Sequence, residues 1–209
     1  MSATLCVQYP LMEPMISKLF PGGPHELEQY RQEILDGILD FEVENGNWDY
    51  TYHDRMVNYP LILEGVCLNQ INFVIRELKR NPDSRRAVMC IRDNNKDPFT
   101  NDPACLQHIQ YFIRNNKLHC KVLFRSNDAV KAAFMNAFAL IMLQKRIADE
   151  LGIQVGTYTH RANSFHAYEK DWKLLEAYYK SIRDNNIKDL TYHYANDWEE
   201  LMEDEKDSI

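Results

Sequence analysis

The stretch "KLHCKVLFRSNDAVKAAFMN", residues 117–136, changes its hydrophobic period part-way through. Leu118, Cys120, Val122 and Phe124 recur at every second position, the spacing of one face of a β-strand. An apolar run then predicts a helix over 129–151, stopping at Gly152. At the junction stand Arg125, Ser126 and Asp128, and Asn136 follows about three helical turns later. A fixed charge, a hydroxyl and a carboxylate at a strand end, followed by an amide on an apolar helix, suit a pocket for a phosphate and a heterocycle. Capping of the following helix by Ser126 or Asp128 is the structural alternative.

Upstream, "LQHIQYFIR" places Ile109, Tyr111 and Ile113 on one face, and Asn115-Asn116 joins it to 117–126 as a hairpin. "RRAVMCI" reads as a short apolar strand before it. Helical spacing predicts a helix over 25–41, built on Leu27, Tyr30, Ile34, Leu35, Ile38 and Leu39. A second is expected over 60–80, with Leu63, Val66, Cys67, Ile71, Val74, Ile75 and Leu78 on its buried side. The opening "YPLMEPMISKLFPGGP" is expected to be irregular or a short strand, and "VENGNWDYTYHDR" a loop around Asn45-Gly46. A strand over 154–160, a helix over 168–182 and an acidic terminal helix complete the chain. This order of elements predicts an α+β fold with helices packed on one face of a sheet.

The 209 residues suit one domain, 1–209, with no linker or repeat. A net charge of −7 excludes bulk attraction to nucleic acid or an anionic membrane, while leaving room for a small basic pocket. No apolar run reaches the ~18–20 residues of a membrane span and no signal-like start is present, so a cytoplasmic protein is expected. The five cysteines are odd in number, lack C-x-x-C and lack zinc-type spacing, which fits reduced thiols and no metal.

Four clusters carry chemistry. Arg85-Arg86 are either solvated charges or a fork for phosphate. Cys105, in "NDPACLQH", is either a packed thiol or a nucleophile that needs a neighbouring cation, with Arg125 the nearest candidate. Arg125, Ser126, Asp128 and Asn136 form the third cluster. A mid-helix amide must find partners, and its donor and acceptor match the O4 and N3–H edge of uracil. In the fourth, "HAY", His166 and Tyr168 point to the same side of an extended segment and suit one ribose hydroxyl.

Taken in order and at these spacings, "RR", "PAC", "RSND", Asn136 eleven residues after Arg125, and "HAY" resemble the thymidylate synthase and pyrimidine hydroxymethylase family, as does "NPDSRR". The resemblance is clearest over 60–170, and the short archaeal-type thymidylate synthases are the most similar branch. It implies a thymidylate synthase-like fold, a homodimer and a methyltransferase making dTMP from dUMP in nucleotide biosynthesis. Cys105 would add to C6 of the ring and C5 would take a one-carbon unit from methylene-tetrahydrofolate or a methylene-tetrahydromethanopterin-type carrier. Hydride then yields methyl in a synthase, whereas water yields hydroxymethyl in a hydroxymethylase acting on dUMP, dCMP or CMP, the alternative reading.

The same resemblance gives roles to residues. Arg125 and Ser126 would bind the 5′-phosphate, with Arg125 supporting the thiolate. Arg85 and Arg86 would reach the partner subunit's phosphate, and His166 and Tyr168 would hold the 3′-hydroxyl. Asp128 would anchor the pterin. Asn136 would read the base, favouring uracil where cytosine-directed members carry aspartate. "HELEQY" would supply a catalytic glutamate, Glu26 with Glu28 as rival, and "YTYHDR" a water-ordering tyrosine, Tyr52 with Tyr50 as rival. The chain departs from the pattern at Leu106, Phe124, Ala132 and Phe134. It is also expected to lack the family's opening arginine segment and its apolar carboxyl end.

Overall fold

A computed structural model describes residues 1–61, 65–206 and 208–209. In chain order the elements are β1 (Ala3–Val7), β2 (Ile16–Ser17), α1 (Pro24–Leu35), α2 (Asp40–Glu44), α3 (Tyr52–Val57), β3 (Tyr59–Pro60), β4 (Cys67–Leu68), α4 (Gln70–Arg80) and β5 (Val88–Cys90). There follow β6 (Leu106–Arg114), β7 (Lys117–Asp128), α5 (Ala132–Leu151), β8 (Gln154–His166), α6 (Trp172–Asp184), β9 (Thr191–Tyr192) and α7 (Glu199–Lys206). The main sheet has the strand order β1-β8-β7-β6-β5.

The central hairpin forms as expected. Asn115 and Asn116 both take left-handed backbone, at φ 53° and 56°, as a tight turn between β6 and β7 demands. β7 and β8 then run parallel, which requires a crossover, and α5 is that crossover. Ile109, Tyr111, Leu118, Cys120, Val122, Phe124, Tyr158 and Ala162 are buried in one core with Phe138, Leu140, Leu143 and Ile147 of α5. α1 and α4 pack on α5, and α7 on α1. The result is α+β, with this helical layer over the apolar face. On the opposite face Phe112 and Leu123 are half-buried, and Lys121 and Arg161 are exposed.

Several boundaries differ from the sequence reading. The helix expected over 25–41 ends at Leu35, because Gly37 adopts φ 69°. A Cβ there would lie 2.1 Å from Nδ1 of His53, so the turn needs glycine both for its φ and for the close approach. The helix expected over 60–80 begins only at Gln70, where the Asn69 side chain accepts from the Asn72 N–H at 2.8 Å. Before it, β3 and β4 pair as a short ribbon, and Val66 and Cys67 are exposed; Leu63 lies outside the described residues. β8 extends to His166, six residues past the expected end. β1, read as no element in the sequence, adds to the sheet edge beside β8; four of its five residues are exposed, so it has no burial pattern to read.

Candidate active site

The segment carrying Cys105 is fixed from two sides. On α3, the buried guanidinium of Arg55 pairs with Asp93 at 3.1 Å and with Asp97 at 2.9 Å, holding the loop that leads to the cysteine. From β7, Arg125 donates through Nε to the Ala104 carbonyl at 3.1 Å and through Nη2 to the Pro103 carbonyl at 2.5 Å. The backbone N–H of Arg125 reaches the Cys105 carbonyl at 2.8 Å. β6 bulges immediately afterwards, between Leu106 and His108, as strands beside functional groups often do.

Burial pushes the Cys105 thiol above its ordinary pKa; Arg125 pulls it down and Asp102 pushes it up. The expected cation is therefore in place and acts in the expected direction. In the free chain, desolvation outweighs it.

Tyr30, Tyr50 and Tyr52 lie within electrostatic range of Cys105, so a thiolate there opposes the ionisation of all three. Tyr52 accepts from the Leu106 N–H at 3.3 Å, and its ring lies 5.8 Å from that of Tyr50. Burial pushes Tyr50 up to about 12 and the other two well above their usual value, so all stay protonated at neutral pH. Tyr30, on α1, donates its hydroxyl to Oδ1 of Asn136 on α5 at 2.5 Å. A cavity of about 450 Å³ has Tyr30, Glu33, Trp48, Tyr50, Tyr52 and Asp102 in its wall; Cys105, Arg125, Ser126, Asn136 and His166 do not line it. Glu33 is the α1 carboxyl in that wall, and burial raises its pKa despite a bond from Gln29.

The parallel register of β7 and β8 assembles a second group. It sets Ser126 opposite Ser164 and Asp128 opposite His166, and Ser126 Oγ lies 3.5 Å from His166 Nδ1. His166 and Tyr168 meet edge to face, with centroids 5.0 Å apart. One oxygen of Asp128 accepts from the N–H groups of Val130 at 2.8 Å and Lys131 at 3.3 Å in a turn ahead of α5. The N-cap of α5, Lys131, has no side-chain capping bond, so Asp128 does not cap the helix.

Other candidates lie elsewhere. Glu26 is exposed and closes the start of α1 by accepting from the Gly23 N–H at 2.8 Å. Glu28 is buried against Arg31 and Gln32, on the side of α1 that faces α4, α5 and α7. Neither lines the cavity. Arg85 and Arg86 are exposed beside Ser84, away from the cavity wall. Tyr30 and Glu33 were missed as site residues. Tyr30 fits the apolar spacing of a packed helix, and only the carboxylate three residues on, sharing its face, signals a polar site.

The thymidylate synthase family model matches residues 24–188. The chain belongs to the thymidylate synthase family. It is 35% identical over 178 residues to a protein of Methanocaldococcus jannaschii named "Putative thymidylate synthase", covering 81% of this chain and 77% of that one. A Methanosarcina barkeri protein of the same name is 33% identical over 168 residues, 76% of this chain and 72% of its own. The "Thymidylate synthase" of Bacillus mojavensis is 27% identical over 156 residues, 74% of this chain but 52% of that protein.

Thymidylate synthase family membership makes the chain a one-carbon transferase for a dUMP-like nucleotide, with a folate-type carrier. The aromatic and acidic wall of the cavity fits a flat, amino-bearing pterin. Among the described residues no helix is long and apolar enough to cross a membrane, and no cluster of His, Cys, Asp or Glu is arranged to hold a metal ion.

Proposed function

We propose that this family member is a thymidylate synthase that methylates C5 of dUMP. The observation that carries the reading is the position of Tyr30: its hydroxyl bonds the Asn136 amide while the residue lies within electrostatic range of Cys105. A pyrimidine between them has its reactive edge at the thiol and its 4-position at the amide. Cys105 supplies the sulfur that bonds C6, and the electron pair released to C5 attacks the carrier's one-carbon group. Loss of the C5 proton then expels the carrier's nitrogen and leaves an exocyclic methylene. Hydride from the reduced carrier adds to that carbon as sulfur leaves C6, which gives the methyl group, the ring double bond and the free thiolate, with the carrier oxidised.

Arg125 and Ser126 take the 5′-phosphate in this reading. Arg125 also favours the reactive thiolate of Cys105, against the desolvation that raises the thiol's pKa. His166 and Tyr168 hold the sugar hydroxyl, supported by their shared side and by the β7–β8 register. The free oxygen of Asp128 meets the pterin, and Tyr52 orders water at the base.

The reading extends to a homodimer with shared sites. Arg85 and Arg86 are exposed just before β5, as charges directed to a partner's phosphate would be. The half-buried apolar side chains Phe112 and Leu123 on the outer sheet face suit a second copy.

The test is mass spectrometry of the nucleotide after incubation of the protein with dUMP and either methylene-tetrahydrofolate or methylene-tetrahydromethanopterin. A methyl product supports the synthase and identifies the carrier. A hydroxymethyl product overturns it in favour of water as the final donor.

A further inference from the structure

The contact between Tyr30 and Asn136 does more than fill space. The hydroxyl and Oδ1 are 2.5 Å apart. The hydroxyl donates to Oδ1, so the carboxamide presents its oxygen, not its nitrogen, to the phenol. Burial holds Tyr30 protonated, and among the described residues its hydroxyl makes no other hydrogen bond. Asn136 Nδ2 likewise donates to no described group. The amide is thus pinned at one end, with two N–H hydrogens left at the other.

We propose that Tyr30 is a positioning residue that fixes the orientation of the Asn136 amide and thereby sets the enzyme's preference among pyrimidine bases. This rests on the reading of Asn136 as the base-facing group. A 180° turn of a carboxamide exchanges its donor and acceptor ends, so a free asparagine can meet either a 4-carbonyl or a 4-amino group. After such a turn the phenol oxygen could accept from the amide N–H, but its own O–H would lose its acceptor and has no other among the described residues, so the turn strands a buried donor. The retained orientation gives an N–H to a ring carbonyl and leaves a ring amino group without an acceptor. Discrimination of this kind is large because the wrong ligand leaves buried polar groups unpaired. Asn136 alone permits both bases; Asn136 with Tyr30 selects the carbonyl.

The experiment measures binding of dUMP and dCMP by calorimetry, and turnover of both, for wild type, Tyr30→Phe, Asn136→Ala and the double variant. Tyr30→Phe keeps the ring and removes one hydroxyl. It is expected to narrow the dUMP-to-dCMP affinity ratio by roughly tenfold, by weakening dUMP and strengthening dCMP. In the Asn136→Ala background the same change is expected to leave the ratio where it was, since no amide remains to orient. An unchanged ratio in a folded Tyr30→Phe enzyme whose wild type prefers dUMP overturns this inference alone. Equal weakening of both nucleotides does the same, because that is the effect of a packing loss. A wild type without preference for dUMP overturns both this inference and the proposed substrate.

Discussion

Arg125 and Cys105 are joined through the backbone: the Arg125 N–H donates to the Cys105 carbonyl at 2.8 Å, while the guanidinium grips the two carbonyls just before it. One residue therefore sets the position of the thiol and supplies the charge beside it. Arg125→Ala is expected to lower kcat/KM by at least ~10³ and to weaken dUMP binding as well, because a buried charge-assisted contact and a positioning contact go together. Arg125→Lys keeps the charge but cannot reach both carbonyls with a planar fork, so it should recover phosphate affinity more than kcat. Steady-state kinetics with calorimetric dUMP binding separate the two effects; full kcat in the lysine variant would sink the positioning role.

Cys105→Ala is expected to abolish turnover, while dUMP affinity stays within about threefold of wild type, since the sulfur contributes a bond rather than recognition. The raised thiol pKa adds a second observable. In the free protein the rate of Cys105 alkylation should keep climbing with pH beyond the ordinary thiol range, as the nucleophile is the thiolate. Alkylation followed by peptide mass spectrometry, which distinguishes Cys105 from the exposed Cys6, Cys67 and Cys90, makes that measurement. A plateau near neutral pH would show that the cation wins after all.

How much of this was legible in the sequence varies by residue for physical reasons. The alternation through β6 and β7, the Asn115-Asn116 turn and the Gly152 stop are local signals, and each appears in the fold. Gly37 and Gly65, both at positive φ, interrupt otherwise helical spacing, which hydrophobic periodicity alone does not register. The pairing of Ser126 with Ser164 and of Asp128 with His166 spans about forty residues and depends on a parallel register that no local pattern encodes. Tyr30 was legible as a core residue and illegible as a site residue, because a phenol on an apolar helix face satisfies both descriptions until its partner is known. Glu26 illustrates the reverse: a carboxylate three residues from a helix start serves its own backbone first.

Arg55 donates to Asp97 and forms an ion pair with Asp93, all three buried. Removing the cation leaves both acids without it in a poorly solvated site. Arg55→Ala should therefore cost about 3–5 kcal/mol of stability, whereas replacing an exposed pair such as Lys79–Glu150 should leave stability nearly unchanged. Denaturant unfolding of both variants gives the comparison. Because the loop leads to Cys105, activity of Arg55→Ala should fall even at temperatures where it remains folded.

The proposed sharing of sites between two subunits predicts complementation between two inactive proteins. Cys105→Ala and Arg86→Ala homodimers should each be nearly inactive. A mixed dimer carries one site with an intact thiol whose arginine comes from the other subunit, so refolding an equal mixture should restore on the order of a quarter of wild-type activity by random pairing. No recovery, with mixed dimers demonstrated by native mass spectrometry, would place Arg86 outside the partner's site.

His160 gives the pH dependence of stability. It stacks on Phe124 at 4.6 Å between centroids, bonds Tyr158 through Nδ1 at 3.0 Å, and its Nε2 has no partner among the described residues. Burial lowers its pKa from 6.5 to about 4, so the folded state holds it neutral. Between those values the unfolded chain binds a proton that the folded chain refuses, and stability falls as pH drops through that window. Its contribution is fully present above the unfolded pKa and fully lost below the folded one. The difference amounts to on the order of 3 kcal/mol. His160→Phe should flatten this part of the profile without abolishing the carboxylate-driven loss at lower pH. Urea midpoints of wild type and variant between pH 8 and pH 4 provide the measurement, and parallel curves would mean that His160 is protonated in the folded protein.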